Sequence, residues 1–239
     1  MELGNETGWR RMYRAAAVAV LLLIGLTLLD MGISMALPQG DVNPAELSAA
    51  DWLSRFATGP LYALRDYGII NMISIILGIP VLLTMYHIHR GQPLVLLAVA
   101  VSALGGGIYI ANNTALPMLS LSHAYAAAGT DAKRLAIEAA GTALLARGAD
   151  FTRGTLFGML LPTLGSLLMA AVVLTGKVFK KAVGYVGLVA YLCLSVFTVM
   201  TVFTPGLFDI AMLIAMPGGL LVLVWNTALA GKFIKLSKM

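Results

Sequence analysis

The sequence predicts an all-α, polytopic membrane protein: a bundle of six transmembrane helices with two short amphipathic helical connections on the outer side. Three observations predict it. Of 239 residues, only 16 are basic and 11 acidic, a charged share of 11% where ordinary globular chains carry roughly 25%. Hydrophobic residues make up 59% and the mean hydropathy is +0.89, which leaves too little charge to coat a soluble surface. The apolar residues also fall into six long runs, each near or above the ~20 residues that cross about 30 Å of hydrocarbon. Such runs do not alternate like the strands of a membrane barrel, and lipid requires each to satisfy its own backbone, so all six are read as helices.

The first run, 15–37, follows Arg10, Arg11 and Arg14 and holds Ser34-Met35-Ala36, an arrangement similar to a signal peptide and its cleavage site. The run exceeds an ordinary signal-peptide core, so an uncleaved helix is expected. Asn43-Pro44-Ala45-Glu46 then opens a short outer helix, with Asn43 as cap, Pro44 at the first helical position and Glu46 closing a capping box. Leu47, Ala50, Leu53 and Ala57 share a face, Trp52 is placed to anchor at headgroups, and Thr58-Gly59-Pro60 ends the helix. Runs 67–86 and 94–120 form the second and third helices. Pro117, lacking a donor, is expected to bend the third and free the Asn113 carbonyl. The second outer helix lies in TDAKRLAIEAAGTALLARG, with Asp131 in its first turn, Leu135, Ala139 and Leu144 on an apolar stripe, and Gly148 as C-cap. Runs 155–175, 182–203 and 208–230 complete the set, and Pro217-Gly218-Gly219 is placed to open the last. No internal repeat or linker divides the chain, so a single domain, 1–239, is expected.

The net charge is +5. Its basic residues stand in short groups between apolar runs, not in one soluble patch, which argues against a nucleic-acid partner. They set topology instead. With the N-terminus inside, Arg10, Arg11, Arg14, Arg90, Lys177, Lys180, Lys181, Lys232, Lys235 and Lys238 all fall in short inner segments, which places both termini in the cytoplasm. Cys193 is the one cysteine and excludes an intrachain disulfide or a thiolate cluster. His87 and His89 are off one another's helical face and far from His123, so they form no metal triad. No zinc-protease, nucleophile-elbow or phosphate-loop motif is present. No metal or cofactor is expected.

Polar residues inside hydrocarbon are costly, so their positions are the functional clue. Asp30, Asn71, Asn112 and Asn113 concentrate toward the outer half, with Arg153 and Asp209 at the outer mouths and Asn226 alone in the inner half. Gly105, Tyr109, Asn112 or Asn113, Leu116, Ser120 and His123 recur on one side of the third helix. The expectation is an outward-facing polar cavity lined by Asp30, Asn71, Tyr109, Asn112 and Asn113, capped near His123 with Arg153 at its mouth. It would bind or transport a small polar or amphipathic molecule, or a membrane lipid. Two other classes stand beside it: a structural subunit that docks a membrane-protein partner or a second copy, and a lipid-directed enzyme with Asp30 as acid or base. Each residue also has a plain structural role open to it. Asp30 is placed to pair with Arg65 or Arg153, Asn112 and Asn113 to bond between helices, and Gly105-Gly106-Gly107 to admit a neighbouring helix.

The stretch 112–150, NNTALPMLSLSHAYAAAGTDAKRLAIEAAGTALLARGAD, resembles a family of uncharacterised bacterial and archaeal membrane proteins, a domain of unknown function. The pieces that carry the resemblance are Tyr125-Ala126-Ala127-Ala128, Asp131 to Arg134, Ala139-Ala140-Gly141 and Ala143-Leu144-Leu145-Ala146. It implies six membrane helices and a bacterial or archaeal inner membrane. It implies no activity, ligand or catalytic residue.

Overall fold

The computed structural model describes residues 2–36 and 47–239, and its regular elements are helical. In chain order they are α1 (Glu2–Ala36), α2 (Ala49–Thr58), α3 (Pro60–Asp66), α4 (Ile69–His89), α5 (Pro93–Asn112), α6 (Ala115–Ala126), α7 (Asp131–Gly148), α8 (Leu156–Thr175), α9 (Lys181–Phe203) and α10 (Phe208–Leu236). Six helical stretches are long and apolar enough to cross a bilayer: Gly8–Ile33 of α1, α4, the α5–α6 stretch Pro93–Ala126, α8, α9 and α10. By length and composition this is a multi-pass membrane protein.

The long helices close into a ring. α1 packs on α4 and α10, α4 on α5, α5 on α8, α8 on α9, and α9 on α10. Large apolar side chains such as Leu22, Leu97, Leu192 and Leu220 point away from the ring and stay exposed, which water would penalise and hydrocarbon does not. At the end holding the termini the ring fills solidly, with Val20, Met85, Ala98, Met169, Val173, Trp225 and Phe233 in one buried cluster.

The α5–α8 seam is the tightest in the bundle, and small residues make it so. Ala98, Ser102, Gly105 and Tyr109 recur on one face of α5. A Cβ on Gly158 would lie 2.8 Å from the Tyr109 Cα, one on Gly165 would strike Ser102 Oγ, and one on Gly105 would strike Pro162 and Leu161. The glycine-mediated close approach expected at Gly105 is therefore observed, with α8 as the neighbour.

The third long run is not one bent helix. It breaks at Asn113, whose backbone turns extended (φ −60°, ψ 125°), and α6 starts afresh at Ala115, with Asn113 Oδ1 accepting from the Ala115 N–H at 3.1 Å. Pro117 thus lies in the first turn of α6, where its missing donor has no carbonyl to serve, and the bend expected from Pro117 is relocated. The last helix also differs from expectation. α10 runs unbroken through Pro217, and Gly218 serves close packing, its Cβ position only 2.9 Å from Cys193 Cβ.

At the other end α2, α3, α6 and α7 pack on one another as a cap. The cap has its own core, with Trp52, Leu53, Phe56, Tyr67, Ala115 and Met118 fully enclosed. Trp52 is 2% exposed and stands edge-on to Tyr67 at 5.0 Å, so it is a core residue and not the headgroup anchor expected. The cap expected at Asn43, with Pro44 and Glu46, lies outside the described residues. α2 carries its own capping box, Ser48 with Asp51. Pro60 does more than end α2: it occupies the first turn of α3, an element the sequence reading did not separate. On α7 the buried face is Ile137, Gly141, Leu144, Leu145 and Gly148, whereas Leu135 and Ala139 point outward. Both faces satisfy helical spacing, and only the partners α2 and α6 select between them.

Asp30 joins this cap to α1. Its Oδ1 accepts from Arg65 Nε at 2.6 Å and its carbonyl from Arg65 Nη2 at 3.0 Å. Arg65, and not Arg153, is its partner. The Asp30 side chain is 42% exposed and that of Arg65 12%, so solvent screening leaves the pair worth only about 1 kcal/mol. Asp30→Asn is expected to lower the melting temperature slightly. Arg65→Gln should lower it further, because Arg65 also holds Asp66 at 2.8 Å. Thermal unfolding of both variants checks the order.

Candidate functional site

The residue that organises the capped end of the bundle is Asp150, in the turn between α7 and α8. Gly148 lets the end of α7 press onto the α5–α6 break, since a Cβ there would strike the Asn112 carbonyl. Phe151 then adopts φ 66°, a conformation costing a bulky residue about 1–2 kcal/mol. Its ring is held edge-on by Phe197 at 5.4 Å and Phe208 at 6.0 Å. This turn sends the Asp150 carboxylate inward, where the residue is 8% exposed.

Two donors meet it. Tyr109 Oη donates to Asp150 Oδ1 at 2.6 Å and Asn71 Nδ2 to Oδ2 at 2.8 Å. Tyr109 also lies 3.1 Å from the Gly68 carbonyl. Gly68 is itself left-handed, φ 97°, and a Cβ on it would strike Tyr109 Oη, so glycine is needed there on both counts. Among the described residues no lysine or arginine pairs with Asp150. Burial pushes the Asp150 carboxyl up to about 6, while the Tyr109 and Asn71 hydrogen bonds pull the other way.

Around this cluster a polar collar joins cap to bundle. Tyr67 Oη and Thr114 Oγ1 are 3.1 Å apart, Thr114 Oγ1 donates to the Leu144 carbonyl, and Asn112 Nδ2 donates to the Gly154 carbonyl at 3.2 Å. Asn113 Nδ2 lies 3.4 Å from the Tyr67 carbonyl. Burial pushes the Tyr67 phenol up to about 12.

Beneath the cluster lies a chamber of about 460 Å³, lined by side chains from all six long helices. Asn71 and Tyr109 line the end nearest Asp150, and Met85, Met169, Trp225 and Leu229 the far end. Its walls are mostly apolar. The hydroxyls of Thr163 and Thr198 are occupied by the carbonyls of Leu160 and Leu194, and Asn226 stands alone as an amide deep in the wall.

The residues nominated from sequence separate into three groups. Asn71 and Tyr109 line the chamber. Asn112 and Asn113 belong to the collar, in the interhelical bonding role, and Asp30 to the Arg65 pair. His123 and Arg153 are exposed, His123 on α6 and Arg153 beside the α8 start, and neither lines the chamber. Asp150 was not singled out. Its position after Gly148, between an amphipathic helix and an apolar run, reads as an ordinary solvated loop acid. Among the described residues no group of three His, Cys, Asp or Glu side chains is placed to hold a metal ion. No family model, curated protein or solved structure matches the chain.

Proposed function

We propose that this protein binds a small amphipathic molecule in the central chamber, with the polar group at the Asn71–Tyr109–Asp150 end and the apolar part reaching toward Trp225. The observation that carries this reading is the chamber itself: about 460 Å³ of mostly apolar space with Asn71 and Tyr109, the two donors to Asp150, at one end. That volume falls in the range of small-molecule sites, roughly 300–1,000 Å³. Asn71 donates one N–H to Asp150, and the rest of its amide is offered to the ligand. The ionised or neutral Asp150 fixes how Tyr109 and Asn71 present themselves. The cap faces the outside in this reading, because the basic residues gather at the end holding the termini, and the ligand enters from the outer side or the outer leaflet.

Gly78 provides the test. It lines the chamber, and a Cβ there meets nothing within 4 Å, so Gly78→Phe fills the space without striking a wall at its base. A brominated single-chain alcohol is expected to quench Trp225 fluorescence saturably in a Trp9→Phe, Trp52→Phe background. Gly78→Phe should abolish the saturable part. Linear, unsaturable quenching in both proteins would count against a chamber site. A second reading, docking of a membrane-protein partner or a second copy on the cap, draws on the exposure of Leu61 (80%) and Leu135 (68%). The mass of the detergent-solubilised particle, read by light scattering, decides whether a second copy is present.

A further inference from the structure

At the end holding the termini, well over twenty ångströms along α4 from Asn71, lies a second hollow of about 470 Å³. It is formed where α4 turns into α5 and α8 into α9, with Tyr13 of α1 on its rim. Among the described residues its lining contains Arg90, Lys177, His87, His89 and Gln92 and no acidic residue. The two cations are exposed and make no ion pair among the described residues.

His89 is the unusual member. It is 3% exposed and its Nε2 has no hydrogen-bond partner among the described residues. Its ring is fixed in place, stacked on Phe179 at 6.0 Å and pressed against Gly176, whose Cβ would lie 2.7 Å from His89 Cε1. A buried polar nitrogen held rigidly without a partner is seldom found unless something else satisfies it. The neighbouring side chains are arranged to donate. Gln92 Oε1 accepts from Thr175 Oγ1 at 2.8 Å, which leaves the Gln92 amide N–H groups for another acceptor. His87 is stacked on Trp9 at 3.5 Å and its Nδ1 lies 2.9 Å from Tyr13 Oη, which leaves Nε2 as its other polar atom.

We propose that this hollow is an anion site for a phosphate group, held by Arg90 and Lys177 and contacted by the Gln92 amide, with the buried His89 ring forming its wall. Cations, donor nitrogens and the lack of a carboxylate among the described lining residues fit an oxyanion and disfavour a metal or an amine. The site lies level with the ends of the long helices, where both a soluble phosphate and the headgroup of an anionic lipid are within reach. It is separate from the central chamber and does not depend on that reading.

Thermal unfolding of the detergent-solubilised full chain tests it with two probes. One is inorganic phosphate at millimolar concentration, against potassium chloride of equal ionic strength. The other is mixed micelles of phosphatidylglycerol against phosphatidylcholine. A rise in melting temperature with phosphate identifies a soluble source, and a rise with phosphatidylglycerol alone a lipid source. Arg90→Gln and Lys177→Gln should each raise the half-saturating concentration about tenfold. Lys235→Gln, a basic residue outside the hollow, should leave it unchanged. Absence of stabilisation by either probe overturns the proposal. So does stabilisation that survives intact in the Arg90→Gln, Lys177→Gln double variant, or that falls equally in Lys235→Gln.

Discussion

Asp150→Asn is expected to remove from the pH profile of stability a component that falls as pH rises from 4 to 7. The sign follows from burial. In the folded chain the Asp150 carboxyl is raised from 3.8 to about 6, so between those values the folded state holds a proton that the unfolded state has released. The stability contributed by Asp150 therefore declines across that window and levels off above it. That rise corresponds to ~3 kcal/mol, a large part of the usual margin of a folded protein. Asp66 is raised as well, chiefly by burial, and adds a slope of the same sign, so the difference between native and Asp150→Asn profiles isolates Asp150. Asp150→Ala behaves differently. It strands the Asn71 amide and leaves the Tyr109 hydroxyl only the Gly68 carbonyl at 3.1 Å, and at pH 4.5, where no buried charge is relieved, it should cost about 1–3 kcal/mol. An Asp150→Asn protein that keeps the native pH slope would show that the carboxylate is not the buried group described here.

Gly165→Leu is expected to have the second large effect, at least ~3 kcal/mol or failure to assemble. A Cβ at Gly165 already lies 2.8 Å from the Ala98 carbonyl oxygen and 2.8 Å from the Ser102 nitrogen. These are backbone atoms, so no rotamer change relieves the contact and α5 and α8 must separate. Ser102 Oγ, buried there without a hydrogen-bond partner among the described residues, would be displaced too. Gly165→Ala should show the same direction with smaller size, about 1–3 kcal/mol. Gly107 gives the control: a Cβ there meets nothing within 4 Å, and Gly107→Leu should be near neutral in lipid. Melting temperature and the elution profile of the three variants separate packing at the seam from a general intolerance of larger residues.

These two sites mark what was legible in the sequence. The long helices were, because hydrocarbon thickness leaves a length signature that local propensity cannot blur. The face of α5 carrying Gly105 and Tyr109 was legible too, since spacing alone puts them together. The neighbour they face was not, because close packing of α8 depends on which helices adjoin in the ring. Asp150 escaped for a related reason. Its chemistry is ordinary, and its burial results from Gly148, the turn at Phe151 and two donors from other helices. Asn112 and Asn113 were correctly seen as polar groups at one depth, but the α5–α6 break converts them into collar residues. Trp52 shows the same limit on a smaller scale. A tryptophan on a short amphipathic helix suits an interface, and only the four helices of the cap supply a core to enclose it.

The central claim is that the chamber holds an amphipathic molecule, and native mass spectrometry of the protein extracted in mild detergent tests it most directly. The native chain is expected to carry a bound mass of a few hundred daltons, in the range of a chamber-sized ligand. Gly78→Phe, with an unchanged melting profile, is expected to lose that mass, while Arg90→Gln keeps it. A native chain that is bare across extraction conditions, or a bound mass retained in full by Gly78→Phe, would contradict the account.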